Sequence, residues 1–507
     1  MIRIDGESLT IEDLIALARR RESVKLAPSA RKALERSHKA MHNILKKNEI
    51  AYGITTGFGE LANVRISKKD TMELQRNLVR SHSAGVGGSL PEEVVRAILA
   101  LRANTLSKGY SGVRTEIVSF LIRMLNEGIT PVVPRRGSVG ASGDLAPLAH
   151  IALAAMGEGD VVHKGRTISS KSALKSAGMK PLVYESKEAL ALVNGTSAMT
   201  AIGALALYDA ERLLKDAQIA GSMSFEALKG SSRPFDRKIS RVRPHPGQVA
   251  CSKNLLNLLK DSKIIPSHQD CPKVQDAYTL RCMPQVFGPV HETLGSVRKT
   301  IEIEMNSAVD NPLIFPEEEG IFSGGNFHGQ PIAMALDNLG LGLTVLGNFS
   351  ERRIFRLTDS QLSSLPPFLV EESGLNSGMM MLQTTAAALA SENKILAHPA
   401  SSDSIPTSAN QEDFVSMGMS AALKLGRIIS NTQYIISIEY ICAAQGLEFL
   451  KPLKPGKGAL VAYKTIRKHI PKLTKDRVLS KDIETMKNIL ADARILSAVE
   501  KEATKLD

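Results

Sequence analysis

The chain has 507 residues, of which 43% are hydrophobic and 23% charged, and its formal net charge is +12. This length suffices for about three domains and a large buried core. The first ten residues carry charges and no apolar signal segment, and no uncharged apolar stretch of about 18 residues occurs. We therefore expect a cytoplasmic globular protein with no membrane partner.

The excess positive charge is concentrated near the C-terminal end. Residues 451–507 contain 14 Lys/Arg and 7 Asp/Glu, which accounts for seven of the twelve excess charges. A solvated basic face explains this placement better than a nucleic-acid footprint, so we expect no nucleic-acid partner. The four cysteines lie far apart, with no C-x-x-C pair, which argues against a disulfide framework or a structural zinc site.

The N-terminal two-fifths of the chain are predicted to alternate short helices with loops. TIED (10–13) resembles a capping box before an apolar helix, and Ser29 is predicted to cap an amphipathic helix that reaches Lys47. Both are expected to be surface helices. Pro91 and Gly109 bracket a further helix between them.

A pair of histidines lies on the second of these helices. His38 and His42 are four residues apart, so both rings fall on one helix face. The stretch reads HKAMH and lacks the glutamate of the H-E-x-x-H zinc motif. We interpret the pair as part of a solvated helix face and predict no metal site.

From about Asn194 onward the apolar segments become longer, and they cover 284–307, 333–359, 377–398 and 417–450. Apolar helices of this length require other long helices to cover them. We therefore predict a mainly α protein with a smaller mixed N-terminal region (1–195), a central long-helix bundle (196–450) and a basic C-terminal helical segment (451–507). Loops rich in Gly, Asn, Ser and Asp interrupt the helices, and such loops usually carry the chemistry.

The stretch PRRGSVGASGDLAPLAH (134–150) is a candidate functional loop. A nucleophile elbow, G-x-S-x-G, requires glycine where Asp144 stands, and a dinucleotide loop, G-x-G-x-x-G, requires glycine where Ser138 stands. A purely structural alternative stays open, in which Ser142 or Asp144 caps a helix that begins near Leu145. Capping explains one residue of the stretch and leaves the others unexplained.

A third interpretation follows from backbone chemistry. If the chain bends tightly, the amide nitrogen of Gly143 can attack the carbonyl carbon of Ala141. Loss of two waters, one of which takes the Ser142 hydroxyl, leaves a conjugated five-membered ring with an exocyclic methylene. Helix amide ends behind the ring favour negative charge on its oxygen. The product is an electrophile that no ordinary side chain provides.

The stretch GSVGASGDLAPLAH closely resembles the signature of the aromatic amino acid ammonia-lyases. Further blocks resemble the same family in the family's order: YGITTGFG (52–59), LQRNLVRSHSAGVG (74–87), LVNGT (192–196), KVQDAYTLRC (273–282), SGGNFHG (323–329), ERRI (351–354), LPPFLV (365–370) and SANQEDFVSM (408–417). The resemblance implies a 4-methylidene-imidazol-5-one (MIO) group formed autocatalytically from Ala141, Ser142 and Gly143, and no dissociable cofactor. It also implies a mainly helical fold of the fumarase and aspartase class, and a homotetramer whose active sites draw loops from three subunits.

Two short stretches resemble the members of this family that act on histidine. Those members carry a Ser-His pair and a Gln-Glu-Asp triplet, at the places taken here by Ser81-His82 and Gln411-Glu412-Asp413. A buried imidazole needs polar partners, whereas a phenyl ring does not need the same set. The resemblance therefore implies elimination of ammonia from L-histidine to give trans-urocanate. Taken alone, His82 is more often a structural histidine and Glu412 a solvated loop carboxylate.

The resemblance also assigns roles to the other candidate residues. The expected catalytic residues are Tyr52 as base, Tyr278 and Glu412, and Arg281 is expected to clamp the substrate carboxylate. Tyr278 and Arg281, three residues apart, are expected to share a helical face. A packing tyrosine and a surface salt bridge are the plain alternatives for Tyr52 and Arg281. Four residues are expected to position the substrate or to help the ring to form: Asp144, Asn194, Gln275 and Phe327. A structural role in a turn or in the core explains these residues nearly as well.

Two alternative functions stay open at this point. Another ammonia-lyase, or an aminomutase, that acts on phenylalanine or tyrosine would keep the ring and change the pocket. A non-catalytic structural or nucleic-acid-binding relative would keep the fold and lose the chemistry. The presence of Tyr52, Ser142 and Arg281 argues against the second alternative.

Overall fold

The structure is a computed structural model that describes residues 1–46, 70–268, 274–318 and 320–507. The predicted base Tyr52 and its block YGITTGFG lie outside the described residues. Within those ranges the chain is mainly helical, and its short strands lie before residue 170 and between 313 and 322. The mainly α fold predicted from the apolar periodicity is therefore confirmed.

The strands of the described ranges are two to four residues long and pair into small sheets. β1 (Ile2–Ile4) runs parallel to β2 (Val24–Leu26), and β3 (Val86–Ser89) runs antiparallel to β5 (Pro134–Arg136). β4 (Thr130–Pro131), β6 (Asp160–His163) and β7 (Arg166–Ser169) form an antiparallel sheet in that order, with Asp160 opposite Ser169. β8 (Leu313–Phe315) pairs antiparallel with β9 (Gly320–Phe322). β5 leads directly into the candidate loop.

The helices before residue 194 are short or medium in length. In the described ranges they are α1 (Ile11–Ala18), α2 (Pro28–Lys46), α3 (Thr71–His82), α4 (Glu92–Ser107), α5 (Thr115–Glu127), α6 (Leu145–Ala155), α7 (Ser170–Ser176) and α8 (Glu188–Val193). α6 follows the candidate loop directly, so the loop connects a short strand to a helix.

Local sequence signals set the ends of several of these helices. The predicted capping box before α1 is present, because the Thr10 hydroxyl accepts a hydrogen bond from the Asp13 amide and the Asp13 carboxylate accepts one from the Thr10 amide. α4 begins directly after Pro91, as predicted. The prediction of a cap at Ser29 is wrong, since α2 begins at Pro28 and Ser29 lies within its first turn. Proline fits the first helical position, where no amide hydrogen is needed.

The helices after residue 194 include the long ones. They are α9 (Ser197–Ala227), α10 (Arg237–Val242), α11 (Pro246–Leu258), α12 (Tyr278–Arg281), α13 (Met283–Met305), α14 (Gln330–Thr358), α15 (Ser360–Ser363), α16 (Met380–Leu396), α17 (Gly418–Glu448), α18 (Lys457–Arg467), α19 (Ser480–Ala491) and α20 (Arg494–Glu502). The four predicted apolar segments coincide with α13, α14, α16 and α17 to within three residues at each end. On α14, Leu336, Leu339, Leu343 and Leu346 are fully buried at helical spacing, which makes this side of the helix part of the core.

The chain folds into two compact units, each made of three stretches. Unit 1 comprises Met1–Tyr208, Val297–Asp337 and Pro399–Leu423, and unit 2 comprises Asp209–Ser296, Asn338–His398 and Lys424–Asp507. Both units therefore draw on distant parts of the sequence. The division into 1–195, 196–450 and 451–507 follows composition along the chain and stays a prediction.

Among the described residues, α14 is the one helix long and apolar enough to cross a membrane by length and composition. Just over half of its most apolar window is buried inside the protein. A core helix of a globular protein passes the same test, so this helix is weak evidence for a membrane. Among the described residues Cys251, Cys282 and Cys442 form no disulfide; Cys251 and Cys442 are buried and Cys282 is half-buried, and burial raises the pKa of Cys251 to about 12.

Candidate active site

The candidate loop folds as a tight turn between β5 and α6. Gly140 and Gly143 pair as an antiparallel bridge, with Ala141 and Ser142 at the tip between them. Both glycines have a φ of +74°, a backbone conformation that residues with a side chain rarely adopt. Ala141 is buried in an apolar cluster that includes Val415. The chain is therefore sharply bent at Ala141 and Ser142, and the bend is held against the 415–417 segment.

A second backbone segment, after α8, fixes the other side of the turn. The Asp144 amide donates to the Gly195 carbonyl at 2.8 Å, and the Gly195 amide donates to the Ser142 carbonyl at 3.1 Å. A Cβ atom on Gly143 would lie 2.2 Å from the Gly195 oxygen, which is far inside van der Waals contact. Only glycine therefore fits at position 143.

Asp144 anchors the turn to the start of α9. Its side chain is fully buried, and its Oδ2 accepts hydrogen bonds from the amides of Ala198 and Met199 at 2.9 and 2.8 Å. The Ser138 hydroxyl donates to Oδ1 at 3.3 Å. Burial raises the pKa of Asp144 to about 7, although these hydrogen bonds favour the charged form. The carboxyl therefore sits close to a protonation change at neutral pH.

Ser142 and Glu412 are brought together from positions 270 residues apart. The Ser142 hydroxyl donates to Glu412 Oε1 at 3.1 Å. The other carboxylate oxygen of Glu412 accepts a 2.6 Å hydrogen bond from the Thr407 hydroxyl, and the two residues also pair through their backbones. Both oxygens of the carboxylate are thus held in place, and Glu412 lies at the tip of the turn as a fixed acceptor.

His82 is the last residue of α3 and lies close enough to Glu412 to interact with its charge. Its Nδ1 donates to the Leu78 carbonyl at 3.0 Å, which leaves the lone pair on Nε2. Burial lowers the pKa of His82, while the Leu78 carbonyl and the Glu412 charge act in the opposite direction. The ring is therefore mostly neutral at pH 7, with one nitrogen able to accept a hydrogen bond.

Asn194 lies directly before Gly195, and its neighbour Arg102 was missed by the sequence analysis. Arg102 on α4 is fully buried, and its Nη1 donates to the Asn194 carbonyl at 2.6 Å. Its Nε and Nη2, and the side-chain oxygen of Asn194, have no hydrogen-bond partner among the described residues. Burial lowers the pKa of Arg102 to about 10, opposed by the charges of Asp310 and Asp144. Arg102 is thus a buried cation that supports the backbone behind the turn.

Phe327 is half-buried in the loop before α14. The next residue, His328, stacks on Phe414 with ring centroids 6.1 Å apart, and its Nε2 donates to the Phe414 carbonyl at 3.3 Å. These contacts hold the SGGNFHG segment beside the 408–417 segment that carries Glu412. A direct contact of Phe327 with the turn is not among the described contacts, and its role stays a prediction.

Three candidate residues belong to unit 2. Tyr278 and Arg281 lie on α12 and share one face, since the guanidinium carbon of Arg281 lies 4.7 Å from the centre of the Tyr278 ring. Tyr278 is 69% exposed, and Gln275 before it is exposed as well. The Arg281 Nε is buried without a hydrogen-bond partner in the described ranges. The guanidinium therefore keeps donor capacity for an anion.

Within unit 1 the fold collects several candidate residues around one turn: His82, Ala141, Ser142, Gly143, Asp144, Asn194 and Glu412. The side chains of Glu412 and His82 are suited to bind a small nitrogen heterocycle. The Glu412 carboxylate can accept a hydrogen bond from a ring N–H, and the neutral His82 imidazole offers a lone pair. His82, Ser142 and Glu412 are half-buried, and their partial removal from water strengthens such polar contacts and penalises any that are left unmade. The arrangement can therefore bind and orient a polar ring next to Ser142.

The chain is similar to enzymes of one family along nearly its whole length. A model of the family described as aromatic amino acid lyase matches residues 9–468. A histidine ammonia-lyase of Alkaliphilus oremlandii is 50% identical over 99% of this chain and 98% of its own length. Two solved structures match closely. The tyrosine aminomutase from Streptomyces globisporus has a TM-score of 0.95 at 39% identity and covers both chains completely. The histidine ammonia-lyase from Trypanosoma cruzi has a TM-score of 0.92 at 40% identity and covers 99% of this chain and 96% of its own.

These matches confirm the expected mainly helical fold of the fumarase and aspartase class, which the structural neighbours share. The region that the family model matches includes the candidate loop, α8 and the 408–417 segment. The identity and coverage exceed what a shared fold alone requires. The chain therefore belongs to the aromatic amino acid lyase family and is a carbon–nitrogen lyase.

Proposed function

We propose that this chain is a histidine ammonia-lyase, which eliminates ammonia from L-histidine and releases trans-urocanate. The observation that carries the proposal is the placement of Glu412, which accepts a hydrogen bond from Ser142 and acts electrostatically on His82. An imidazole substrate has an N–H and a lone pair, and both need partners in a buried pocket. The name of the Alkaliphilus relative supports the same substrate.

The residues at the turn fit the MIO group that the family implies. The bridge between Gly140 and Gly143 folds the chain back at Ala141, and Gly143 lacks the Cβ that would collide with Gly195. Ser142 carries a hydroxyl, which is the group whose loss leaves a methylene. We propose that Ala141, Ser142 and Gly143 form the group by losing two waters. When present, the group supplies an electrophile that draws electrons from the substrate.

The side chains around the turn bind and orient the substrate in this proposal. His82 presents its Nε2 lone pair, because Nδ1 is held by the Leu78 carbonyl, so it accepts from an imidazole N–H. Glu412, held by Thr407, provides the second polar contact and takes part in catalysis next to the reacting atoms. Asp144 has a pKa of about 7 and therefore exchanges a proton readily near neutral pH. We assign to Asp144 the proton transfers of ring formation.

The remaining candidate residues are given proposed roles. We assign removal of the β-proton to Tyr52, which requires positive charge or hydrogen-bond donors that lower the pKa of its hydroxyl. Arg281 is assigned to the substrate carboxylate, since a planar guanidinium donates two parallel hydrogen bonds to it. Tyr278, on the same helix face, is assigned to ring formation and turnover. Three residues keep proposed positioning roles: Asn194, Gln275 and Phe327.

We further propose a cytoplasmic homotetramer whose active sites are shared between subunits. Met334, Leu341 and Val345 on α14 are 60%, 54% and 41% exposed, and their spacing places them on one side of the helix. An exposed apolar stripe on a core helix is typical of a subunit interface. Tyr278 is also exposed in the single chain, so a partner subunit would bury it. We propose no nucleic-acid or membrane partner.

A second candidate function has support from one observation. The tyrosine aminomutase from Streptomyces globisporus matches the whole chain with a TM-score of 0.95. An aminomutase or lyase acting on tyrosine or phenylalanine would form the same ring. The two polar groups His82 and Glu412 favour histidine, because an apolar substrate ring would leave them unpaired at a cost of about 1–3 kcal/mol each.

The test is a substrate assay on the purified full chain. L-histidine, L-tyrosine and L-phenylalanine are supplied separately, with Ser142→Ala as the inactive control. We expect urocanate and one equivalent of ammonia from L-histidine, and little product from the other two. Activity confined to tyrosine or phenylalanine, or a β-amino acid product, would overturn the proposed substrate in favour of the second candidate.

A further inference from the structure

Two histidines on α2 lie ring to ring. The Nε2 atoms of His38 and His42 are 3.1 Å apart, and the ring centroids are 4.5 Å apart with the rings nearly perpendicular. His38 is half-buried, and His42 is exposed. The helical spacing of four residues aims both nitrogens at one point. This point is reachable from solvent.

The hydrogen bonds around His38 fix which of its nitrogens carries the lone pair. Its Nδ1 donates to the Gly112 carbonyl at 3.0 Å, so Nε2 is the basic nitrogen and points at His42. A backbone carbonyl that holds the outer N–H of a histidine is a common second partner of metal-bound imidazoles, because it fixes the tautomer and the ring orientation.

A carboxylate from a distant part of the chain completes the cluster. Glu185 lies before α8, and its carboxylate oxygen and the ring nitrogens of His38 and His42 all lie within 4.8 Å of one another. The Glu185 amide donates to the Glu188 carboxylate at 2.8 Å, which fixes the backbone at this position. The three groups therefore come from two rigid segments.

Nearby charges favour a cation at this point. Arg114 forms ion pairs with three carboxylates, those of Glu188 at 2.7 Å, Glu116 at 3.1 Å and Glu185 at 3.2 Å, so its single charge is shared among them. The carboxylates of Glu185 and Glu188 act on His42, opposed by Lys46. Near the histidine pair there are thus three carboxylates (Glu116, Glu185 and Glu188) and two cations (Arg114 and Lys46). The excess of negative charge is available to a divalent ion.

We propose that His38, His42 and Glu185 form a binding site for a divalent transition metal of the zinc type, with a fourth position open to water. Two imidazoles and one carboxylate are a ligand set that zinc uses in proteins. Tetrahedral ligands at about 2.0–2.2 Å from zinc lie about 3.3–3.6 Å from each other, so a 3.1 Å nitrogen pair needs only a small outward movement. On binding, the proton of His42 moves from Nε2 to Nδ1, and the metal takes the place of the shared hydrogen.

The site is proposed to bind metal and not to hydrolyse a substrate. In the H-E-x-x-H motif the glutamate after the first histidine is the general base, and Lys39 stands at that position here. Metal at this site would tie α2 to the segment before α8, and we assign it no part in ammonia elimination.

The test is direct metal binding by the full-length, untagged protein after removal of metal with a chelator. Zn²⁺ is titrated against the wild type, His42→Gln and the control His469→Gln, which changes an exposed histidine on another helix end. We expect about one Zn²⁺ per chain in the wild type and in the control, and an affinity at least about tenfold weaker in His42→Gln. Because His42 is exposed, this variant is expected to keep the fold, which far-ultraviolet circular dichroism checks.

A second variant separates this site from accidental binding at surface histidines. Glu185→Gln keeps both histidines and is expected to weaken Zn²⁺ binding by a similar factor. Co²⁺ bound to the wild type should show the intense visible absorption of a four-coordinate ion, and His42→Gln should lose it. Equal Zn²⁺ binding by wild type and His42→Gln, or no binding by wild type, would overturn the proposal.

Discussion

Each of the two compact units buries a cluster of charged side chains, and the two clusters are built differently. In unit 2, Arg353 donates to both oxygens of Glu439, and both side chains are fully buried. Ser224 and Ser350 donate to the same carboxylate, and the guanidinium lies 4.9 Å from the Phe349 ring centre. The carboxylate of this cluster thus accepts from Arg353 and two serines, and Nη1 is the one nitrogen of Arg353 without a partner among the described residues.

The cluster in unit 1 is less complete. Arg102 is bonded through Nη1 alone in the described part of the chain, and the side-chain oxygen of its neighbour Asn194 is unpaired there. Ser197 and Thr200, at the start of α9, also have buried hydroxyls without described partners. Burying unpaired polar groups costs about 1–3 kcal/mol each, so a fold keeps them where they serve another purpose. We infer that the charged cluster around Arg353 in unit 2 serves stability and that the cluster around Arg102 in unit 1 serves function.

Removing the arginine of the stability cluster tests this difference with the largest expected effect. In Arg353→Met the Glu439 carboxylate stays buried without its cation, so we expect the free energy of unfolding to fall by about 3–5 kcal/mol. Urea unfolding curves measure the loss. The double variant Arg353→Met/Glu439→Gln removes both charges and is expected to recover most of it. A loss below about 1 kcal/mol in the single variant would show that the pair is not a stability cluster.

Glu412 tests the functional side of the comparison. Glu412→Gln keeps the shape of the side chain and removes its charge, so we expect kcat/KM for L-histidine to fall about 100-fold, with little change in stability. The matched control is Asp403→Asn, which removes an exposed carboxylate of the same unit outside the Gln411-Glu412-Asp413 triplet and should leave kcat/KM within about twofold. Steady-state urocanate formation measures both. Equal losses in the two variants would mean that Glu412 has no special place at the turn.

Arg102 is a positioning residue in this account, because it holds the Asn194 carbonyl behind the turn. We expect Arg102→Met to lower kcat about tenfold and to change KM little, since the substrate contacts are intact. Arg96 on the same helix is the matched control: it is also buried and donates to three backbone carbonyls of unit 1, those of Leu17, Ala18 and Leu125. Arg96→Met should reduce stability and leave kcat of the folded enzyme unchanged. If Arg102→Met kept its kcat and Arg96→Met lost it, Arg102 would not be a positioning residue of the site.

The smallest expected effect concerns pH. Burial raises the pKa of Asp216 in unit 2 from 3.8 to about 7, as it does for Asp144 in unit 1. Between pH 4 and pH 7 the Asp216 carboxyl is ionised in the unfolded chain and protonated in the folded chain. The free energy of unfolding therefore decreases as pH rises from about 4 to 7. Asp216→Asn should lack this contribution and gain about 1–2 kcal/mol on wild type between pH 4 and pH 7. Tyr440 can still donate to the new amide oxygen.

Asp144 and Asp216 are also expected to differ in their effect on activity. Asp144→Asn is expected to show a similar pH-dependent gain in stability and to lose most of its activity, because Asp144 belongs to the turn. Asp216→Asn is expected to keep its activity within about twofold. Urea unfolding at several pH values, together with urocanate assays, measures both effects. If Asp144→Asn stayed fully active, the assigned proton transfer would be wrong.

Local features of the fold were predictable from the sequence. The capping box at Thr10, the start of α4 after Pro91 and the four long apolar helices depend on residues close in the chain. The misplaced cap at Ser29 has a local cause as well, since Pro28 and Ser29 are both good residues near a helix start. The candidate loop was found because its residue types, taken together, are unusual for a simple cap.

Contacts between distant residues were not predictable in the same way. Arg102 meets Asn194 from 92 positions away, and Lys187 forms a fully buried ion pair with Asp310 from 123 positions away. No local pattern around an arginine on an apolar helix indicates its partner. The histidine pair on α2 was visible in the sequence, but the carboxylate of Glu185 joins it only through the fold.

In the proposed mechanism the turn at residues 141–143 becomes an electrophilic ring made from the chain itself. Intact-mass measurement of the purified protein tests it most directly, with Ser142→Ala as the comparison. We expect the wild-type chain to be two waters lighter than its sequence, and Ser142→Ala to have the full sequence mass and to form no urocanate. Because the chain contains no tryptophan, the near-ultraviolet absorbance of the ring should also be visible in the wild type alone. An active wild-type enzyme with the full sequence mass would show that ammonia elimination does not depend on such a ring.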